Sequence, residues 1–478
     1  MKKPNILWIC TDQQRYDTLG CYGNTYVQTP NIDRLAEKGT LFEQSYCQSP
    51  VCSPSRASFL TGRYPRTTKI RQNGQSISTE EVLVTRLLAE NGYTCGLAGK
   101  LHISACHPSI APSMEARIND GYSEFRWSHH PMPDWQTNEY TQWLQSRGKI
   151  YGVSPIEDCK YVQIGPDAED QQTTWCAEMA INFIETSASF DRPWLYSVNM
   201  YDPHHAFTPD EKRLARYVKQ LESLPSPSYK EGELDSKPEF QKRDSLAAYG
   251  KKNFYPFAEM TERDHLYLRA AYWAMVDLID EQVGRMIEAL ERSGQLDNTM
   301  IIFMSDHGEL LGDHGIYLKG PHFYDPSVRV PLLISWPGKV LEARRLKAMV
   351  ELVDLAPTLL DAAGLPIYAG MQGRSLWPLL TGSVTQDKHR DDVYCEFYNS
   401  QRRKDPAYAT MIRTQAFKLV ACHGHKLGEL YDLSKDPGET VNLWNDAAYT
   451  SVKLELYQRL CDRMAETADP LPVRTTNF

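Results

Sequence analysis

A chain of 478 residues, 41% hydrophobic and 24% charged, has the composition of a soluble globular protein and room for two or three domains, or one large α/β unit with an appendage. Its net charge of −9 excludes general binding to nucleic acid or anionic membranes, so an anionic ligand would have to be met by a local basic pocket. No apolar run approaches the ~20 residues that cross a bilayer, and the eleven cysteines, with no CxxC spacing among them, exclude a zinc ribbon or thioredoxin-type site and read mostly as small buried hydrophobes.

In chain order, Asn5 to Cys10 is a short apolar run that reads as a buried strand ending at the polar Thr11-Asp12-Gln13. The run is too short for a signal-peptide core, which places the chain in the cytoplasm, or in the periplasm if a signal was removed before residue 1. Thr29-Pro30-Asn31 opens a helix from Ile32 to Lys38 that Gly39 closes. Cys52-Ser53-Pro54-Ser55-Arg56 reads as the start of another helix, with Pro54 in its first turn, where a missing N–H costs nothing. Helical periodicity runs from Glu81 to Asn91, with Gly92 as cap, and Thr94 to Ala98 returns as a strand. A helix from Trp175 to Thr186 precedes a strand from Trp194 to Asn199, and a long amphipathic helix from Arg263 to Arg292 precedes a strand from Thr299 to Met304. The alternation predicts an α/β domain, residues 1–380, with a large, mostly parallel sheet flanked by helices. Residues 104–174 and 212–262 break the rhythm and read as insertions around a site mouth. Beyond about residue 381, short strand-like pieces and a helix from about Tyr449 to Glu466 predict a smaller α+β subdomain, residues 381–478, with a short antiparallel sheet.

Two segments share a design: each buried strand ends in a pair of metal-competent side chains, Asp12-Gln13 in one and Asp306-His307 in the other. Ligands of parallel α/β sheets sit at the carboxyl ends of strands. Taken singly, either pair could only cap the following turn; together they point to a divalent-cation site. Cys52, at the positive end of its helix with Arg56 on the same face, suits an anion or a thiol of lowered pKa. Lys100 and His102 follow a strand at a spacing that turns both to one face, so that one could neutralise an oxyanion and the other move protons. Asp202-Pro203-His204-His205 follows another strand, and Lys319 lies beyond the glycine-rich stretch 308–320 as a further candidate cation.

These pieces resemble, in order and type, the sulfatase family of the alkaline-phosphatase superfamily. Cys52-Ser53-Pro54-Ser55-Arg56 with Leu60-Thr61-Gly62-Arg63 is similar to its signature, and the likeness extends to Asp12-Gln13, Gly99-Lys100-Leu101-His102, Asp202-Pro203-His204, Asp306-His307-Gly308 and the C-terminal Glu429-Leu430-Tyr431-Asp432-Leu433. The resemblance implies that a maturation enzyme oxidises Cys52 to formylglycine. It implies that Asp12, Gln13, Asp306, His307 and the modified Cys52 hold one divalent cation, usually calcium, with manganese, magnesium or zinc as alternatives. Arg56 and Lys100 would hold the aldehyde hydrate and the sulfate, His102 would be the base that breaks the covalent intermediate, and His204 and Lys319 would face the leaving oxygen, one of them protonating it. The sequence departs from the commonest ligand set, in which a second aspartate stands at position 13 and an asparagine at 307. The Asp-Gln, Asp-His set resembles bacterial 2-O-sulfatases acting on unsaturated uronic acids from heparin or chondroitin, and also choline sulfatases and phosphonate monoester hydrolases. The expected substrate is therefore a small sulfated saccharide. The alternatives are a phosphonate or phosphodiester substrate, choline or aryl sulfate, or a sulfated-glycan binding protein with unmodified Cys52. No oligomeric state follows from the sequence.

Overall fold

The structure is a computed structural model, described here for residues 3–400, 407–474 and 476. Its centre is a nine-stranded sheet. Eight strands run in the spatial order Arg344–Glu351, Thr40–Tyr46, Leu332–Ser335, Thr299–Ser305, Asn5–Thr11, Trp194–Asn199, Thr94–Gly99 and Tyr122–Trp127. Only Leu332–Ser335 runs antiparallel to its neighbours in this path, and the short Arg329–Val330 strand pairs antiparallel with Thr40–Tyr46.

The central strands are apolar at successive positions because both faces of the sheet are covered. Along Asn5–Thr11, Ile6, Trp8 and Cys10 enter one core and Leu7 and Ile9 the other. The first core is closed by Ala57, Phe59 and Leu60 of the helix Cys52–Thr61 and by the helices Val84–Glu90 and Leu355–Ala362. The second is closed by the helix Gln172–Ser187 and the 31-residue helix Glu262–Arg292. The latter starts at Thr261, whose hydroxyl accepts from Asp264 N while the Asp264 carboxylate accepts from Thr261 N, a reciprocal cap that satisfies two orphan donors.

Four antiparallel strands, Val393–Tyr398, Tyr408–Arg413, Phe417–His423 and Glu429–Asp432, form the C-terminal sheet. One of its faces (Val393, Cys395, Phe397, Met411, Val420) belongs to the first core of the large sheet. The other (Tyr394, Ile412, Leu419, Leu430) packs on Leu456 and Leu460 of the helix Thr450–Glu466. The smaller unit therefore shares a core with the larger one.

The large, mostly parallel sheet and the small antiparallel one match the fold class expected from the sequence. Two details differ. The stretch 104–174 contributes the edge strand Tyr122–Trp127 to the main sheet as well as loops. The helix expected from Glu81 begins at Val84, because Glu81 is held outside it by Arg63, 3.3 Å away. Among the described residues, no helix is long and apolar enough to cross a membrane.

Candidate active site

Asn5–Thr11 and Thr299–Ser305 are adjacent and parallel, with Thr11 opposite Ser305, so Asp12-Gln13 and Asp306-His307 emerge side by side. Asp306 Oδ1 accepts from the backbone N–H of Gln13 (3.0 Å) and of His307 (2.9 Å), which locks the two strand ends together. The helix Cys52–Thr61 points its first residue at this junction and is buried at all ten positions. Cys52 Sγ lies 3.2 Å from His307 Nε2, 3.0 Å from Lys319 Nζ, and 3.7 Å from both Lys100 Nζ and Asp12 Oδ1. His102 lines the same cavity as this sulfur.

All ten residues expected at the site gather around this junction, but Arg56 is placed differently from expectation. Arg56, 0% exposed, braces the acids beneath the site instead of facing the cavity. Its Nε lies 2.8 Å from Asp306 Oδ2, its Nη2 3.2 Å from Asp12 Oδ2, and its Nη1 donates to the Lys100 carbonyl at 2.8 Å. The side chains of Lys100, whose Nζ is 2.6 Å from Asp12 Oδ2, and of Lys319 do line the cavity. His204 is tied to Lys319: its Nε2 is 2.9 Å from Lys319 Nζ, and its Nδ1 is 2.6 Å from the His205 carbonyl. An Nδ1–H tautomer satisfies both contacts, leaving Nε2 to accept from the ammonium.

Burial pushes the Cys52 thiol up, but Lys100, Lys319 and His307 outweigh it and hold the group well below the usual thiol range. Burial and the nearby Lys100 lower His102 to about 4, and burial and Lys319 do the same for His204. Both imidazoles are therefore neutral near pH 7, able to accept a proton rather than give one. Burial opposes the charge of Lys100, yet Asp12 and Cys52 raise its pKa and keep it an ammonium.

The residues present fit a divalent cation. One ligand atom each from Asp12, Cys52, Asp306 and His307 lies within 4.8 Å of the others, all buried. His307 Nδ1 is 3.0 Å from the Gly308 carbonyl, so that with a metal bound the imidazole would keep its proton there and turn Nε2 to the ion. Gln13 Oε1 is buried and has no hydrogen-bond partner among the described residues, so it remains open to a ligand such as a cation.

Above this cluster opens a cavity of about 430 Å³. Its wall carries Lys100, Lys251 and Lys319, the five histidines His102, His129, His130, His204 and His205, and Tyr201 and Tyr249, and among the described residues no carboxylate. His129 and His130 come from the stretch 104–174, and Tyr249 and Lys251 from 212–262. The His102 and His129 rings meet edge-on at 4.5 Å, and those of His204 and His205 stack at 4.1 Å.

Two supporting carboxylates, Glu115 and Glu309, were not foreseen from sequence. Glu115 accepts from the backbone N–H of His102 (2.8 Å), Ile103 (3.0 Å) and Ser104 (3.3 Å) and from Trp127 Nε1 (3.1 Å), holding the His102 loop in place. Glu309 and His205 both touch the Gln13 amide. The nearest signals were the His129-His130 doublet and the acid just after Gly308.

Gly99 sets the entry of Lys100. It has φ +106°, and a Cβ there would stand 1.9 Å from the Asn199 carbonyl oxygen. Gly99→Ala is expected to cost about 2 kcal/mol or more and to lower turnover by displacing Lys100. Chemical denaturation alongside a turnover assay would show this, and a variant with native stability would contradict it.

Comparison with known proteins agrees with this geometry. The Sulfatase family matches residues 4–365, and the C-terminal N-sulphoglucosamine sulphohydrolase family matches residues 312–466. The chain belongs to the sulfatase family, whose members are hydrolases. It is 30% identical to a choline-sulfatase of Rhizobium meliloti over 92% of this chain and 82% of that protein. It is 31% identical to an iduronate 2-sulfatase of Mus musculus over 76% of this chain and 69% of that protein. Among solved structures, the phosphonate monoester hydrolase of Agrobacterium radiobacter superposes with a TM-score of 0.84 at 28% identity, covering 99% of this chain and 98% of that one.

Proposed function

We propose that this sulfatase removes the sulfate ester of a small saccharide bearing a second anionic group, namely the 2-O-sulfate of an unsaturated uronic acid in oligosaccharides from heparin, heparan or chondroitin sulfate. The observation that carries this reading is the cavity wall: among the described residues, three lysines and five histidines without one carboxylate, in a chain of net charge −9. The three lysines attract a sulfate and a carboxylate together, while burial keeps the five histidines neutral near pH 7, where they add hydrogen-bonding groups rather than charge. The wall repels choline, whose quaternary nitrogen wants an aromatic cage free of nearby cations. The likeness to an iduronate 2-sulfatase points the same way.

In this reading a maturation enzyme oxidises Cys52 to formylglycine. One hydroxyl of the hydrated aldehyde would ionise and attack sulfur in line as the bond from sulfur to the saccharide oxygen breaks; deprotonation of the second hydroxyl would then break the carbon–oxygen bond to sulfate and restore the aldehyde. Asp12, Gln13, Asp306, His307 and residue 52 would hold a divalent cation, calcium by family likeness, which would supply positive charge beside residue 52. Lys100 and Lys319 flank residue 52 and receive the equatorial oxygens. Lys319 gives its proton to the leaving saccharide oxygen, oriented by neutral His204, which accepts from it. His102, also neutral, takes the proton from the second hydroxyl of residue 52. Arg56 balances the two buried aspartates throughout.

A second reading is hydrolysis of phosphonate monoesters by the same site, favoured by the full-length likeness to the Agrobacterium enzyme. The test compares kcat/KM for 2-O-sulfated unsaturated disaccharides, choline sulfate, an aryl sulfate and a phosphonate monoester, in native protein and Lys251→Ala. Release from the disaccharide should dominate. Lys251→Ala should raise its KM about tenfold, the value of one charge-assisted contact, with the aryl sulfate unaffected. Preference for the phosphonate by orders of magnitude, or release only from 6-O- or N-sulfated sugars, would overturn the proposal.

A further inference from the structure

We propose that Glu309 is a positioning residue that fixes the Gln13 amide with its oxygen toward the cation site and couples that orientation to the loop carrying Lys319. The inference rests on reading Asp12, Gln13, Asp306 and His307 as cation ligands. Glu309 is 0% exposed, and every contact of its carboxylate is to an N–H. Oε2 accepts from Gln13 Nε2. Oε1 accepts from the backbone N–H of Leu311 at 2.8 Å and of Leu318 at 2.6 Å, so one oxygen spans the loop and reaches the residue before Lys319.

The second N–H of the Gln13 amide meets His205 Nδ1 at 3.3 Å. Both donors are therefore engaged, by Glu309 and His205, and Oε1 is left buried without a hydrogen-bond partner. The opposite orientation would set the amide oxygen against a carboxylate, acceptor facing acceptor, and turn two N–H groups toward the cation. A glutamine is a usable ligand here only if something forbids that flip, and Glu309 does. The two carboxylates of the cluster keep their orientation through Arg56 and Lys100; Gln13 keeps its own through Glu309.

Glu309→Gln separates orientation from loop structure. Its oxygen remains the acceptor for Leu311 and Leu318, so its NH2 faces residue 13 and favours the flipped Gln13. Calcium and manganese titrations of the chelator-stripped full-length protein, read by calorimetry, should show affinity about 10- to 100-fold weaker than native. The thermal midpoint without cation should be close to native. The double variant Gln13→Glu/Glu309→Gln should recover affinity, because the carboxylate introduced at position 13 accepts from the amide introduced at position 309 with one oxygen and offers the other to the cation. Native-like affinity in Glu309→Gln overturns the proposal. So does weak binding that the double variant fails to restore, which would mean only the loop had been damaged. Native protein that binds neither ion would remove the cation reading itself, a result distinct from native binding that Glu309→Gln leaves unchanged.

Discussion

Replacing Cys52 by alanine is expected to lower sulfate-ester turnover by about 10⁴-fold or more while the protein still folds. The side chain is 1% exposed, Lys100, Lys319 and His307 converge on its sulfur, and His102 lines the same cavity. Without a group at residue 52 to act on, these cations and bases surround an empty place. Cys52→Ser should fail differently. A serine placed among the same groups can take up sulfate once, but it lacks the second hydroxyl from which His102 would remove a proton. It should show a single burst of product and then remain as the sulfate ester, visible in the mass of the peptide containing residue 52. The same measurement on native protein separates aldehyde from thiol. Full activity in Cys52→Ala would end the proposed chemistry, and steady turnover in Cys52→Ser would show that the second hydroxyl is unnecessary.

Arg56→Ala should be costly in a different way. Arg56, Asp12 and Asp306 are all fully buried, and the guanidinium bridges both carboxylates. Removing it leaves Asp12 with Lys100, and Asp306, among the described residues, with no basic neighbour nearer than the His307 imidazole at 3.7 Å. Breaking a buried pair in this way costs about 3–5 kcal/mol, which denaturant unfolding in chelator should report. A cation in the neighbouring site would offset part of the loss, since ligand at 100 times its Kd adds about 2.7 kcal/mol of stability. The variant should therefore depend on added calcium more steeply than native protein does. Arg56→Lys keeps one charge but cannot reach both acids, and should fall between the two. Unfolding of Arg56→Ala at native denaturant concentrations in chelator would show that the cluster does not depend on this bridge.

Much of the site was legible because it hangs on the most legible part of the fold. The strands at residues 5–11, 194–199 and 299–305 are apolar on both faces, and their polar residues begin where the sheet ends. What was missed depends on partners distant in sequence. Tyr122–Trp127 is buried only at its two ends, as an edge strand is, and so resembles loop. Leu332–Ser335 is four residues between Pro331 and Trp336, too short to declare itself. The spacing from Cys52 to Arg56 places the guanidinium one turn along the helix. It says nothing of what lies beyond, and there the acids Asp12 and Asp306 wait rather than a sulfate. Glu115 and Glu309 are single carboxylates whose meaning comes from the N–H groups around them, and no local pattern marks such a residue.

The one antiparallel strand within the central run of the sheet has a further consequence. Thr299–Ser305 leads out to the site, and Leu332–Ser335 leads back beside it, with Leu332 opposite Met304. The intervening stretch, 306–331, therefore leaves and re-enters at one edge, as a hairpin does, whereas a parallel return would have had to cross to the far end of the sheet. Its neck is closed by Gly308 N to the Ser327 carbonyl (2.8 Å) and Glu309 N to the Pro326 carbonyl (3.0 Å). His307, Glu309 and Lys319 thus travel on one closed cassette. A descendant of this chain could exchange His307, Glu309 and Lys319 together without re-pairing the eight strands of the central path.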